Sequence, residues 1–488
     1  MTIRLLCDAR GTHRKRFMER MLALSEGKVE LAIHMGDRDA DWHAPSLSRM
    51  EVRRGRRGAF MEGQHQTGAN MALIASPQFA ASLETAVDQM HRSAPAYRYR
   101  SHNIQNLQDY LDYFHILSDA FAQRMLDEGV THVLFYNVPH LTYDMVMYQV
   151  AQSLGIRTIV LCQTIFPNRY FSMSRIEDYG HFDLSGSDAP PYPIEKGSAP
   201  DLFYMKDSWQ KPGKPGKLTA RGVGQLVQYM ARKDPAKLLN PAFIARTVRR
   251  MNAIYRSFPD WRDPFAQFFH VNELAYFEHL AEFEGTEIDL SLPFVYVPLH
   301  NQPEMSTSSL GGIYRDQALM IEALARDLPE GWKIYVKENP RQGAYARGPM
   351  FFHRLARIPA VQFMPSYANT AALAANARFT ATVTGTAGWE AIRKGRPAMV
   401  FGQAWYGSLP GVVRYAPGLD FEAIAAMEID HAALEQAAGA LMARAHEGII
   451  EEVYFNMVDG YDVEANADAV ARTTLDLLTG AAPLSFGE

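Results

Sequence analysis

The sequence predicts an α/β chain built as two doubly wound lobes with a cleft between them. Three observations lead there. At 488 residues the chain exceeds what one ordinary core holds, so two units of comparable size are the natural division. Residues 131–162 read as strand, loop, helix and strand, a β-α-β unit whose strands are most simply parallel. From Leu292 to Gly402, short apolar and β-branched runs alternate with helical patterns, as in a mostly parallel sheet covered on both faces.

In the first lobe, residues 3–7 form a predicted strand that ends at Asp8. A basic loop follows (Arg10, His13, Arg14, Lys15, Arg16), then a helix over 17–24 and a second strand over 29–35. Residues 37–41 contain two overlapping Asp-x-Asp triplets. Such triplets can hold a divalent metal, but they are also ordinary in acidic surface loops, and the surface reading is preferred. Residues 45–105 are polar, with a second basic cluster at Arg53, Arg54, Arg56 and Arg57. Apolar residues at helix spacing return over 106–126. In the β-α-β unit, the loop Asn137-Val138-Pro139-His140 sits at a strand end and Gly155 closes the helix. His140 is thereby expected to face the cleft, with Asp144 one turn on to orient it. The loop from Gln163 to Arg169 is expected to be a second wall of that cleft.

Residues 183–240 are rich in proline, glycine and lysine and read as a flexible insertion. Helices predicted over 243–258 and 264–283 would bridge the lobes. The second lobe then runs as strands over 294–298, 333–337, 361–364, 379–383 and 397–401, with helices between them and a helical tail from His431. The layout expected is 1–182, 183–240, 241–290, 291–430 and 431–488, the last packing back across the lobes.

Two stretches carry the chemistry. Phe294 to Glu304 is an apolar strand that breaks into Leu299-His300-Asn301-Gln302-Pro303-Glu304. Phe379 to Ile392 is a strand that breaks into Thr384-Gly385-Thr386-Ala387-Gly388 and opens a helix. Small residues let backbone approach a ligand, and the open N–H groups of a helix start favour a phosphate. Glu390 falls in the first turn, where it is expected to reach a sugar hydroxyl.

Composition bounds the rest. The chain is 47% hydrophobic and 21% charged with a formal net charge of -5, which gives no sign of a nucleic-acid partner. Two cysteines, Cys7 and Cys162, both in apolar runs, argue against a disulfide framework and fit a reducing compartment. Without a signal-like N-terminus or a spanning run, a cytoplasmic location is expected, at most at the inner face of the inner membrane through peripheral contact.

The motifs Pro298-Leu299-His300-Asn301-Gln302-Pro303-Glu304, Tyr335-Val336-Lys337-Glu338-Asn339-Pro340 and Thr384-Gly385-Thr386-Ala387-Gly388-Trp389-Glu390-Ala391 resemble the bacterial capsule-polysaccharide biosynthesis proteins. Those are GT-B-like proteins related to the Kdo transferases of capsule assembly. The likeness is strongest over about residues 292–406 and leaves 183–240 uncovered. Where CMP-sugar enzymes often carry His-Pro after the Lys-Glu strand, this chain has Asn339-Pro340, so the donor base stays open. The Thr384 to Glu390 loop also resembles that of the UDP-N-acetylglucosamine 2-epimerases.

The resemblance implies a glycosyltransferase that needs no metal and no cofactor. It would move a sugar, favoured as a CMP-Kdo-like nonulosonate, from its nucleotide to a glycan or glycolipid acceptor. Gln302, Glu338, Asn339, Pro340, Thr384, Gly385, Thr386, Ala387 and Glu390 would hold the nucleotide sugar. His300, Glu304 and Lys337 would serve the reacting centre, Lys337 by neutralising the leaving phosphate. His140 or Asp8 would take the acceptor proton. A sugar-nucleotide epimerase or hydrolase on the same fold and a non-catalytic polysaccharide-binding protein are the alternatives.

Overall fold

A computed structural model describes residues 2–36, 40–43, 68–92, 107–184, 188–195, 217–233, 235–256, 287–302, 304–339, 342, 347–365 and 367–487. Asp37, Arg38 and Asp39 of the 37–41 Asp-x-Asp stretch, the Arg53–Arg57 cluster, the 264–283 helix and Pro340 lie outside the described residues; Asp41 accepts from the His34 N–H at 3.3 Å.

The first sheet comprises β1 (Ile3–Ala9), β2 (Val29–Gly36), β3 (Trp42–His43), β4 (His132–Phe135), β5 (Arg157–Gln163) and β6 (Arg169–Met173), plus a strand from the chain's end. The second comprises β7 (Phe294–Pro298), β8 (Lys333–Lys337), β9 (Val361–Met364), β10 (Phe379–Thr382), β11 (Ala398–Val400) and β12 (Val412–Arg414). The late strand of the first sheet is β13 (His446–Glu447). In the first sheet the order is β13-β6-β5-β4-β1-β2-β3, with β1 to β5 parallel and β6 and β13 added antiparallel. In the second it is β12-β11-β10-β7-β8-β9, and every pair is parallel.

Both sheets are wound outward from their first strand in the doubly wound manner, giving the GT-B-like plan of two Rossmann-like sheets. Their strands are buried on both faces, which is why they read as continuous apolar runs: Leu5 to Ala9, Val133 to Phe135, Phe294 to Val297 and Ile334 to Val336 are all in the core. Each sheet reverses strand order next to its first strand, between β1 and β4 and between β7 and β10. Open parallel sheets hold ligands outside the strand ends at such points.

Several elements depart from the sequence expectation. The polar stretch before residue 105 contains a helix, Phe79–Arg92, whose apolar side packs on the 107–127 helix. Within the proline-rich excursion, Tyr192 N–H donates to the Glu435 carbonyl and Ile194 N–H to the Glu435 carboxylate. Residues 188–195 are thereby fastened to the helix His431–Ala443. Further along, Ala220–Lys233 is helical.

The basic loop after β1 does not greet an anionic ligand as a whole. Arg14 pairs with Glu451 at 2.8 Å, His13 with Glu452 at 3.5 Å and Arg16 with Glu464 at 3.1 Å, while Arg20 meets Glu464 and Asp468. These acids belong to the C-terminal segment, whose last helix, Val463–Thr479, lies against Gly11–Leu24. Among the described residues no helix is long and apolar enough to cross a membrane.

Candidate functional site

The turn after β10 is built around one close approach. Gly385 caps the helix Thr386–Arg393 with an ordinary φ of -74°, so its lack of a side chain is not needed for backbone conformation. It is needed for space: a Cβ there would meet His300 Cε1 at 2.7 Å and Thr382 Oγ1 at 2.9 Å. The loop after β7 thus lays its imidazole directly on the loop after β10, across the point where strand order reverses.

Hydrogen bonds fix the ring. The Gly385 N–H donates to Thr382 Oγ1 at 3.2 Å, and the Thr382 hydroxyl is 2.7 Å from His300 Nε2, which also accepts from the Thr384 N–H at 3.5 Å. With Nε2 accepting, the proton sits on Nδ1. Burial, then the Arg347 charge, push the imidazole down to about 3, so His300 is neutral at physiological pH.

Beside His300 stands a buried polar cluster that the sequence did not reveal. The Arg347 side chain, 0% exposed, donates to both Glu338 oxygens at 2.9 and 3.1 Å, to Gln302 Oε1 at 2.9 Å and to the His300 carbonyl. Gln342 exchanges two bonds with the Gln302 backbone, at 2.7 and 3.0 Å, and Gln317 does the same for His300 at 2.8 and 3.3 Å. Glu338 and Gln302, expected on the nucleotide sugar, turn their side chains to Arg347. A buried carboxylate must have a cation, and this one is supplied from nine residues on.

The cluster extends to the other lobe. Gln302 Nε2 donates to the Arg315 carbonyl, and the Arg315 guanidinium meets Glu84 at 2.9 Å and Asp88 at 3.4 Å on the Phe79–Arg92 helix. Gln89 of that helix donates to Ser308 and Ser309 and accepts from the Thr142 N–H.

Above the two loops is a cavity of about 520 Å³. From the second sheet come Pro298 to Asn301, Glu304 to Ser306, Asn339, Thr382 and Thr384 to Ala387. Gln163, Thr164, Ile165 and Tyr179 come from the first, and Tyr454 from the C-terminal segment. The structure therefore brings His300, Glu304, Asn339, Thr384, Gly385, Thr386 and Ala387 together, with the 163–169 loop opposite. Lys337, Glu338, Gln302, Glu390, His140 and Asp8 do not line this cavity. Lys337 pairs in register with the lining residue Pro298. Glu390 is half-buried, with its carboxyl raised by burial, and its charge reaches the phenols of Tyr296 and Tyr406.

His140, in the loop after β4, and Asp8, in β1, belong to the two strands that flank the first sheet's own reversal point. His140 Nδ1 lies 2.7 Å from the Val138 carbonyl, which can only accept, so Nδ1 carries the proton and Nε2 keeps its lone pair. Asp144, expected to orient this ring, accepts instead from the Leu141 N–H at 2.7 Å and starts the next helix. Asp8 is buried beside Arg10 at 3.7 Å and accepts from Tyr143; burial raises its carboxyl above the usual range. Burial raises the carboxyl of Glu451, which no local pattern in the chain assigns to this place, and the Arg14 guanidinium beside it draws it back down.

Residues 293–442 match the family model described as capsule polysaccharide biosynthesis protein. The resemblance read from the motifs holds over that span. The matched segment contains the loops after β7 and β10 and the whole second sheet. No curated protein sequence matches the chain. Among solved structures, the chain is similar to the β-Kdo 2,7 transferase KpsC of Thermosulfurimonas dismutans, at 10% identity over 96% of this chain and 99% of that one, with a TM-score of 0.33. It is also similar to the UDP-GlcNAc 2-epimerase of Methanocaldococcus jannaschii, at 9% identity over 98% and 100%, TM-score 0.22. A UDP-forming trehalose-phosphate synthase of Burkholderia vietnamiensis aligns at 12% identity over 98% and 100%, TM-score 0.26. At these scores the likenesses carry no argument about activity.

Proposed function

We propose that the cleft binds a nucleotide sugar and that the protein transfers the sugar to a glycan or glycolipid acceptor in bacterial surface-polysaccharide assembly. One observation carries the reading: the neutral His300 ring seated on Gly385, at the strand-order reversal of a capsule-biosynthesis segment, under a cavity lined from both sheets. The open N–H groups at Thr386 and Ala387 receive the donor phosphate, as helix starts do. Lys337, paired in register with Pro298, is the cation this reading assigns to the leaving phosphate.

The favoured donor is a CMP-linked nonulosonate. Among the described residues the cavity lining holds no lysine or arginine and one carboxylate, Glu304. With no cation in that lining, the donor's phosphate and sugar carboxylate are left to backbone N–H groups such as those at Thr386 and Ala387. On the acceptor side His140 is the base, because its Nε2 is an open acceptor while Asp8 is buried and bonded to Tyr143. The acceptor hydroxyl oxygen bonds the anomeric carbon, the sugar–phosphate bond breaks, and the hydroxyl proton passes to Nε2.

Titration calorimetry with CMP, UDP and GDP, with and without magnesium, tests the reading. Selective binding of one nucleotide supports it and identifies the base. Sugar-nucleotide turnover without acceptor would make the protein an epimerase or hydrolase. Glycan binding with no nucleotide binding would make it a non-catalytic assembly protein.

A further inference from the structure

Besides the donor cleft, the two lobes enclose a second cavity of about 380 Å³. Small-molecule sites run from roughly 300 to 1,000 Å³, so it is large enough for a ligand. It shares no lining residue with the first cavity. The segment 305–313 is the partition: Met305, Ser306 and Leu310 line the first, while Ser309, Gly312 and Ile313 line the second. Most of the remaining wall comes from the helices Phe79–Arg92 and Tyr143–Ser153 of the first lobe.

The charges of this wall are already engaged within the protein. Among the described residues it holds two cations and two carboxylates. Arg315 meets Glu84 at 2.9 Å, and Arg175 lies 3.7 Å from Glu177, which also accepts from the Tyr148 hydroxyl at 3.2 Å. Neutral acceptors are what it offers. The Ser76 and Thr85 hydroxyls donate to the Leu73 and Ala81 carbonyls, each at 2.7 Å, which leaves both oxygens to accept. Gln149 Oε1 is enclosed and has no hydrogen-bond partner among the described residues. A buried acceptor without a donor is uncommon in a folded protein. Leu73 and Met145 add buried apolar surface, and Ile313, 58% exposed, adds an apolar rim.

A ligand with hydroxyl donors, no net charge and a C–H face answers all of these features. Phosphate brings acceptors and a charge that would compete with the ion pairs. An amine brings donors but places its charge beside Arg315 and Arg175. A purely apolar ligand would leave the acceptors dry. We propose that this second cavity binds a neutral pyranose ring, free or as a unit of a glycan chain, separately from the nucleotide sugar. The proposal goes beyond the donor reading and does not depend on it. A ring seated there rests on the segment that also walls the donor cleft.

Saturation-transfer NMR of the full chain, without nucleotide, is the test. The neutral probes are methyl α-glucoside, methyl α-galactoside, methyl α-mannoside and N-acetylglucosamine; the charged ones are glucuronate and inorganic phosphate. At least one neutral sugar should bind, the charged probes should not, and saturating CMP, UDP or GDP should leave the sugar signal in place. Gln149→Leu removes an acceptor that no described residue uses, so the unfolding midpoint should not fall, while sugar affinity should weaken about tenfold or more. Ala81→Trp, at an exposed helical position in the wall, should fill the cavity and abolish the signal. A disaccharide of the bound sugar that binds more tightly than the single ring identifies a glycan chain as the source, and equal or weaker binding identifies the free sugar; either upholds the site. Absence of neutral-sugar binding, equal binding of the charged probes, displacement by nucleotide, or unchanged affinity in either variant would overturn the proposal. Nucleotide titration of the same variants should match wild type and reads the cleft alone, so failure of this site and failure of the donor reading are separate results.

Discussion

Replacing Gly385 by alanine isolates the contact on which the site is built. Its φ of -74° suits any residue, so alanine brings no backbone strain and even lowers the entropy of the unfolded chain. The whole effect is steric. The new methyl would stand 2.7 Å from His300 Cε1, 2.9 Å from Thr382 Oγ1 and 3.1 Å from His300 Nε2, so the ring must move. It has little room, because Gln317 and Arg347 hold the His300 backbone. Overpacking of this kind costs about 1–3 kcal/mol, and losing the bond between Thr382 and Nε2 costs about 1 kcal/mol more.

The expected result is a lower unfolding midpoint together with nucleotide affinity weakened about tenfold or more. Gly395→Ala is the control. That glycine has a φ of +72°, and a methyl added to it would meet nothing within 4 Å, so alanine there strains the backbone without touching the cavity. It should lose stability and keep affinity. His300→Ala made with Gly385→Ala should recover part of the stability, since the methyl then occupies space the ring has left. Wild-type affinity and stability in Gly385→Ala would refute the reasoning.

Other consequences follow from the same cluster. Arg347→Ala should cost about 3–5 kcal/mol in urea unfolding, because Glu338 is left buried without its cation, and Arg347→Lys should rescue little because one ammonium cannot serve Glu338, Gln302 and His300 together. His300 and His446 are held neutral by burial down to about 3 and about 4, so the unfolded chain binds more protons than the folded one below the ordinary histidine range. Their contribution is fully present above about pH 6.5 and is lost as pH falls toward those values; His300→Gln should flatten the pH dependence of stability there by about one proton, and an unchanged slope would remove His300 from it. Arg315→Ala should loosen the lobes, raising the radius of gyration in X-ray scattering, since Glu84 and Asp88 lose their shared cation. His140→Gln should depress turnover while leaving nucleotide affinity unchanged; equal loss of both would take the base role from it.

The strands were legible because burial on both faces leaves continuous apolar runs, and the loops after β7 and β10 because chemistry-bearing residues interrupt those runs. The helix after Thr384-Gly385 starts at Thr386, about a turn earlier than the apolar pattern suggested, so Glu390 lies past the first turn in which it was expected. Other parts had no local signature. Arg347 is an arginine in a polar stretch until Glu338, Gln302 and His300 are brought around it. Glu451 is 437 residues from Arg14, and nothing near either predicts the pair. The Phe79–Arg92 helix is regular enough to find, but its arginine-rich surroundings masked it, and its value lies in Glu84, Asp88 and Gln89 facing the other lobe.

These hidden contacts decide how the lobes are held to one another. The proposed reading puts the donor on one sheet and the base on the other, and transfer requires the two at a fixed separation. Among the described residues the contacts that set it include Arg315 with Glu84 and Asp88, Gln89 with Ser308 and Ser309, Ser309 with the Pro139 carbonyl next to His140, and the C-terminal segment, which is pinned by Arg14 and delivers Tyr454 to the cavity. Ser309 and Pro139 join the small-residue loop after β7 directly to the loop that carries His140. A donor that settles on His300 and the 384–387 turn therefore acts on a loop already bonded to the base loop. The lobes also share an apolar seam, in which Phe166 of the first packs edge-on against Trp405 of the second at 5.3 Å, so packing as well as polar bonds sets their separation.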